Sequence, residues 1–205
     1  MTCARSFPRG PARTLALGLV LATSLAASAC GSTSSQFVAR PITAAQAAVY
    51  DNGIDYVDNP SLLEGQWLET WEREIDQRVT EADAVSYVTI STIRTDADLE
   101  RRETFRLTAH SDSIRYGTLD QDFVLISART DAGFGTVRGN DTRILNNRFV
   151  LFVRFVQETA EAPMTARWHM SPASEQIVRR VNSLVDARHG DNTDRRRIII
   201  RETRN

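Results

Sequence analysis

The chain has no lysine and only two cysteines, and these shortages exclude several kinds of chemistry. All 25 of its basic side chains are arginines, so a Schiff base on lysine and a phosphate-binding P-loop are both excluded. Because Cys3 falls within a predicted leader, Cys30 is the one cysteine expected in the mature chain. An intramolecular disulfide and a metal site built on paired cysteines are therefore excluded as well.

The first 29 residues have the composition of an export signal. Three arginines and no acid precede Thr14, and an uncharged, leucine-rich run follows as far as Ala29. That run is shorter than the roughly 20 apolar residues that a membrane span needs. We therefore predict a signal peptide over residues 1–29, in preference to a cytosolic protein whose first helix is apolar.

Residues Ala27-Ser28-Ala29-Cys30 resemble the lipobox of bacterial lipoproteins, a pattern of leucine, two small residues and cysteine. The resemblance implies that the Cys30 thiol is joined to diacylglycerol, and that the amine freed by cleavage before it is acylated. By the same resemblance, Gly31 implies sorting to the outer membrane of a Gram-negative cell, facing the periplasm or the cell surface.

Ala27 stands where the lipobox usually has leucine, and this leaves a second cleavage open. An A-x-A sequence is also a site for ordinary signal peptidase, which would release a soluble periplasmic protein with a free thiol. We expect the lipidated form, because an exposed unpaired cysteine is a liability in an oxidising compartment.

The rest of the chain divides into a tether and a domain. Residues 30–41 are mostly small and polar, which predicts a flexible tether, and residues 42–205 are enough for a single globular domain. All 26 acidic side chains follow Cys30, whereas three of the arginines precede it. The mature chain is therefore mildly acidic, which argues against non-specific binding to nucleic acid.

The domain begins with a predicted short helix over Ile42–Tyr50, with Thr43 as its cap. Asp51, Asp55 and Asp58 follow it and invite a calcium interpretation. Their order does not match the EF-hand loop. We therefore predict a solvated loop and no metal.

Two longer amphipathic helices are predicted, one on each side of a strand region. The first follows Ser61 and Glu64, which have capping-box spacing, and its period places Trp67 and Trp71 on one buried stripe. An aromatic platform for glycan or lipid is the alternative interpretation of these tryptophans. The second helix is predicted to open at Ser171-Pro172 and to stop at Gly190.

Between these helices, β-branched residues and alternating hydrophobicity predict five strands. They cover Val85–Ile93, Thr104–His110, Phe123–Ile126, Arg148–Val156 and Met164–Met170. We expect the third to be buried on both faces and the fourth to be central. In Thr104–His110 we expect Phe105, Leu107 and Ala109 to point inward and His110 outward.

Two other segments are polar or charged. Residues 130–147 are rich in glycine and asparagine, and we expect a binding site to use this long loop. Gly133-Phe134-Gly135 within it is interpreted as a bend. Residues 195–201, Arg-Arg-Arg-Ile-Ile-Ile-Arg, are predicted to form an edge strand with protective charges. A patch for anionic lipid headgroups is the alternative.

This order of elements predicts an α+β fold, with a mainly antiparallel sheet or small barrel flanked by the two amphipathic helices. The segments at Ala82–Val85, Phe105–Thr108 and Phe149–Phe152 resemble secreted OB-like or netrin-like barrels over residues 81–156. The paired cysteines of those barrels are missing here. The resemblance implies a barrel and carries no functional residue across.

Catalytic patterns are scarce. His110, His169 and His189 are not spaced as metal ligands, and there is no GxSxG nucleophile elbow. We predict no enzyme activity and no cofactor, but a lipid-anchored protein that scaffolds or binds a protein partner in the envelope. Cys30 is the one functional residue that the sequence assigns.

Two alternatives stay open. A carrier or sensor of a small apolar ligand needs a cavity of roughly several hundred Å3 within the barrel. A hydrolase of cell-wall polymers needs a cleft where His110 or His169 lies within hydrogen-bond reach of a carboxylate.

Overall fold

A computed structural model describes residues 41–157, 159 and 161–202, with side chains described as far as residue 190. The signal peptide, Cys30 and most of the predicted tether lie outside the described residues. The elements are α1 (Ala44–Val49), β1 (Gly53–Ile54), a 3-10 turn (Pro60–Leu62), α2 (Gln66–Glu81), β2 (Ala84–Ala97), β3 (Glu103–Tyr116), β4 (Asp122–Ala128), α3 (Phe134–Val137), α4 (Asp141–Ile144), β5 (Arg148–Val156), β6 (Thr165–Pro172) and α5 (Glu175–Glu202). No described helix is both long enough and apolar enough to cross a membrane.

The six strands form one strongly curled sheet in the order β1-β6-β5-β2-β3-β4, and the curl makes a half-barrel. All neighbours are antiparallel except β1 and β6, which run parallel. The predicted α+β class with a mainly antiparallel sheet is therefore confirmed. β5 lies inside the sheet between β6 and β2, as predicted, and β4 forms an edge.

The inner face of the half-barrel is filled by apolar side chains from all six strands. α3 and α4 close it by adding Phe134, Val137 and Ile144 to the same cluster. Leu107, Ala109 and Phe105 point into it as predicted, each at most 6% exposed. Each fully buried large side chain stabilises the fold by about 1.5–3 kcal/mol, so this packing holds the curl.

The outer face of the central strands is covered by helices. Val85, Tyr87, Val150 and Phe152 on β2 and β5 pack against the apolar faces of α1, α2 and α5. Thr43 caps α1 in a capping box with Gln46, which confirms its predicted role. α5 also reaches Tyr116 on β3, whereas Val124 and Ile126 on the outer face of β4 stay exposed.

The predicted start of the first long helix is wrong. α2 begins at Gln66, because Asn59 caps a 3-10 turn at Pro60 and Gly65 then adopts a positive φ of 53°. The capping box of Ser61 and Glu64 is therefore not formed. Only one tryptophan of the predicted stripe is buried, since Trp71 is 8% exposed and Trp67, in the first turn, is 78% exposed.

The predicted bounds of the last helix are also wrong. Ser171-Pro172 ends β6, where Ser171 is paired in register with Val150, and α5 begins three residues later. Gly190 does not stop it, because one glycine inside a helix costs only about 1 kcal/mol. Residues 195–201 belong to α5 and not to an edge strand.

The predicted loop over residues 130–147 contains α3 and α4, and Phe134 begins α3 where a bend was predicted. Gly133 allows this segment to reach β1. A Cβ on Gly133 would lie 2.4 Å from the Cα of Gly53, and the Gly133 N–H donates to the Asp51 carbonyl at 2.9 Å. Two backbones therefore touch where only glycine fits.

Candidate functional site: the open seam between β4 and β6

The curl of the sheet brings β4 close to β6 without pairing them. The Trp168 indole Nε1–H donates to the Ile126 carbonyl at 2.9 Å, and the Arg167 guanidinium meets the Asp131 carboxylate at 2.7 Å. Beside these two contacts lies an open cleft of about 510 Å3. We call this cleft the seam. Its lining is formed by Asn52, Val124, Leu125, Ile126, Asp131, Met164, Thr165, Ala166, Arg167 and Trp168.

Three large apolar side chains of the seam are exposed to solvent. Val124 is 52% exposed, Ile126 is 44% exposed and Met164 is 50% exposed. The prediction that Phe123–Ile126 is buried on both faces is therefore wrong. β4 is an edge strand, so Leu125 and Ser127 point into the core while Val124 and Ile126 face outward.

A second cleft, of about 410 Å3, lies where α4 and β5 meet the start of α5. It is more polar, and its two arginines already have partners. Arg143 stacks over the Tyr56 ring at 3.9 Å, and Arg148 contacts the Asp112 carboxylate at 3.1 Å. The predicted binding loop lines parts of both clefts, through Thr142, Arg143 and Asn147 in this one and Asp131 in the seam.

A buried charge cluster lies outside both clefts. It consists of Asp51, Asp55, Arg78, His169 and Ser171. His169, 4% exposed, lies between two carboxylates, with Nδ1 at 2.8 Å from Asp51 and Nε2 at 3.4 Å from Asp55. Asp55 also accepts the Ser171 hydroxyl at 2.5 Å and lies 3.5 Å from the Arg78 guanidinium.

The cluster stabilises the ionised form of both aspartates. Burial alone raises the pKa of Asp51, but the hydrogen bond and charge of His169 and the charge of Arg78 outweigh it and hold the pKa below the usual value. For Asp55 the same contacts and the Ser171 hydroxyl give the same direction. Because Asp51 is a carboxylate, His169 Nδ1 is the donor in their hydrogen bond.

The position of the cluster explains its structural role. Asp51 and Asp55 flank β1, His169 and Ser171 lie on β6, and Arg78 lies on α2. The Arg78 Nε–H also donates to the Val49 carbonyl at 3.2 Å. The cluster therefore fastens the two-residue strand β1, the end of α1 and α2 to one sheet edge.

The other residues singled out in the sequence do not meet at one site. The His110 side chain points outward, as predicted, is 44% exposed, and contacts the exposed Asp122 at 2.7 Å. His189 stacks on Tyr116 with ring centroids 5.5 Å apart. Asp58 lies near Arg143, away from Asp51 and Asp55. Within the described part of the chain, no three His, Cys, Asp or Glu residues are grouped to hold a metal ion.

No family model, no curated protein and no solved structure matches this chain. The seam combines volume, apolar exposure and an open sheet edge. The buried charge cluster combines perturbed carboxylates with burial, but it opens into neither cleft.

No local sequence pattern predicts the seam residues. Val124 and Ile126 are in an unbroken apolar run, which is equally typical of a strand buried on both faces. The signal that would have identified them is the strand order, because an apolar strand at an uncovered edge exposes every second side chain. That order follows from long-range pairing.

Proposed function

We propose that this chain is a lipid-anchored, non-catalytic protein of the bacterial envelope that binds a protein partner through the seam. The observation that carries the proposal is the exposure of Val124, Ile126 and Met164 around one open cleft. Apolar patches of this kind on a soluble domain mark sites of interaction. A protein surface that covers them would bury side chains now in contact with water.

The anchor in this proposal rests on the sequence around Cys30. Residues 31–40 connect the lipidated cysteine to the first described residue, and an extended chain spans about 3.3–3.6 Å per residue. Ten residues therefore let the domain sit up to about 35 Å from the membrane. Such a tether leaves the seam free to meet partners in the periplasm or at the surface.

The arrangement of the buried charge cluster supports a non-catalytic role. Both His110 and His169 have a carboxylate within hydrogen-bond reach, which is the first requirement of the hydrolase alternative. A nucleophilic serine also needs a hydrogen bond to the base, and the Ser171 hydroxyl donates to Asp55 instead. The contacts of the cluster join β1, α1 and α2 to the sheet, which is a structural role.

The volume of the seam also favours a second candidate function, a carrier or sensor of a small apolar ligand. Its roughly 510 Å3 falls within the range of small-molecule sites, about 300–1,000 Å3. The cavity lies at the open edge of the half-barrel, whereas the inner face is filled by side chains. A ligand would therefore bind at the surface of the seam, between Trp168 and Met164.

The chain offers a direct test because its lipidated form has no free thiol. We would introduce Ile126→Cys in the seam and, as a matched control, Leu99→Cys at the fully exposed tip between β2 and β3. A maleimide small enough to enter the envelope would label each variant in intact cells and after purification in detergent. The measurement is the labelling rate of each cysteine in the two states.

We expect the cysteine at position 126 to react at least tenfold more slowly in cells than after purification, and the cysteine at 99 to react equally in both. Equal rates at 126 would contradict partner binding. Slow labelling that persists after purification and disappears on solvent extraction would favour the small-ligand function. Labelling of the wild-type chain would identify a free Cys30 and contradict the anchor.

A further inference from the structure

We propose that the seam recognises its partner as an extended, apolar peptide segment that pairs as an added strand between β4 and β6. This inference rests on the proposed function and specifies the chemistry of the partner. It comes from the backbone at the two edges of the seam, which is independent of the apolar side chains considered above.

The outward-facing backbone groups of β4 can be assigned from one hydrogen bond. The Ile126 carbonyl accepts from the Trp168 indole, so it points away from β3. In an antiparallel pair, residues alternate between facing the neighbour strand and facing away. Val124, two residues earlier in the same register, therefore also directs its N–H and C=O into the seam.

The facing edge of β6 can be assigned in the same way. Both backbone groups of Trp168 are hydrogen-bonded to Asn52. The Asn52 N–H donates to the Trp168 carbonyl at 2.8 Å, and the Asn52 side-chain oxygen accepts from the Trp168 N–H at 3.0 Å. These groups therefore point away from β5, and those of Ala166 do too. β1 is in register with His169 and Met170 only, so no described strand lies beside Ala166.

The two edges match in direction and in register. Four antiparallel steps separate β6 from β4 in the sheet, so the two strands run parallel to each other. Ile126 lies opposite Trp168, so the parallel direction places Val124 opposite Ala166, two residues earlier on each strand, and both line the seam. Because an indole bridges the gap at Trp168, the strands are too far apart to pair directly. One inserted strand is the smallest element that would pair with both edges beyond Trp168, at Val124 and Ala166, with spacings of about 4.8 Å on each side.

The shape of the seam defines the segment. Trp168 closes one end, and the open end lies toward Val124 and Met164, so a segment would enter from there. Its alternate side chains would cover Leu125 and the core on one face and Val124 and Ile126 on the other. An extended peptide with apolar residues on both faces fits these edges, in the mode of β-strand addition.

The test separates backbone pairing from apolar contact. Val124→Pro removes an N–H that points into the seam, a change that edge strands tolerate because pairing with β3 is untouched. Val124→Ala keeps the N–H and removes apolar surface. The probes are ten-residue peptides selected from a random phage library on the full chain purified in detergent, with affinities measured by calorimetry.

We expect selected peptides to lose at least tenfold more affinity for Val124→Pro than for Val124→Ala. Equal losses, binding insensitive to both changes, or no selected peptide would overturn strand addition. Dimerisation of the chain that Val124→Pro abolishes would identify a second copy as the occupant and also overturn it. Should Val124→Pro lower the thermal midpoint, peptides N-methylated at alternate residues replace it, with the same tenfold loss expected on the wild-type chain.

The outcome is separable from that of the proposed function. Protection of a cysteine at position 126 in cells, together with peptides unaffected by N-methylation, would leave partner binding intact and remove strand addition. Absence of protection in cells would remove the proposed function itself, whatever the selected peptides do.

Discussion

Two histidine–aspartate contacts in this protein have nearly the same geometry and opposite surroundings, which makes their relative contribution to stability predictable. His169 lies 2.8 Å from Asp51 in the buried charge cluster, and His110 lies 2.7 Å from Asp122 at the surface. The His169 side chain is 5% exposed, whereas the His110 side chain is 44% exposed. Replacing each aspartate by alanine removes this contact, and Asp51→Ala also removes a hydrogen bond from the Gly53 N–H at 3.1 Å.

The structure indicates how large each effect is. Exposed ion pairs contribute about 0.2–1 kcal/mol, so we expect Asp122→Ala to lower the free energy of unfolding by less than about 1 kcal/mol. Removing one member of a buried pair costs about 3–5 kcal/mol, because the other is left unpaired. We expect Asp51→Ala to cost about 3 kcal/mol, the low end, because Asp55 still lies near His169.

The measurement is urea unfolding followed by tryptophan fluorescence, since Trp168 is buried beside His169. With a slope of about 2 kcal/mol per M, Asp51→Ala lowers the midpoint by about 1.5 M and Asp122→Ala by less than about 0.5 M. A difference between the two variants below about 1 kcal/mol would refute the fastening role of the cluster, because burial would then add nothing to the contact.

Three further predictions concern pH, a close backbone approach and the two tryptophans. The folded-state pKa values of Asp51 and Asp55 are lowered, so these ionised aspartates stabilise the fold at pH values above the unfolded aspartate pKa of about 3.9. Urea midpoints measured against pH will therefore fall steeply below about pH 4. A flat profile would contradict this. Gly133→Ala will lower the thermal midpoint, because overpacking costs about 1–3 kcal/mol of stability. Gly135→Ala will leave the midpoint unchanged, because no atom lies within 4 Å of a Cβ built there. By chemical denaturation, Trp71→Ala will cost about 3–5 kcal/mol and the exposed Trp67→Ala less than about 0.5 kcal/mol; equal costs would contradict the burial assigned to them.

Local patterns predicted the parts of the fold that depend on local contacts. The alternation in Thr104–His110 places Phe105, Leu107 and Ala109 inward because a strand has a period of two. Thr43 caps α1 because its side chain satisfies a backbone N–H three residues away.

The features that were missed depend on long-range contacts. Ser171 is a good helix cap by type, yet it forms a strand because Val150 and Asp55 hold it there. His169 and Asp51 are 118 residues apart in the chain, so no spacing rule could bring them together. The seam follows from strand order, and the identity of the edge strand is decided by pairing across the whole domain.

Partner binding at the seam is tested most directly by a photo-crosslinking scan over the large apolar side chains that are exposed. A photoreactive amino acid would replace, one at a time, Leu62, Trp67, Leu99, Ile114, Val124, Ile126 and Met164, and intact cells would be irradiated. We expect cross-links to one discrete protein from the three seam positions, Val124, Ile126 and Met164, and none from the other four. Cross-links from Leu62 or Trp67 in place of the seam positions, or equal yields at all seven, would contradict it.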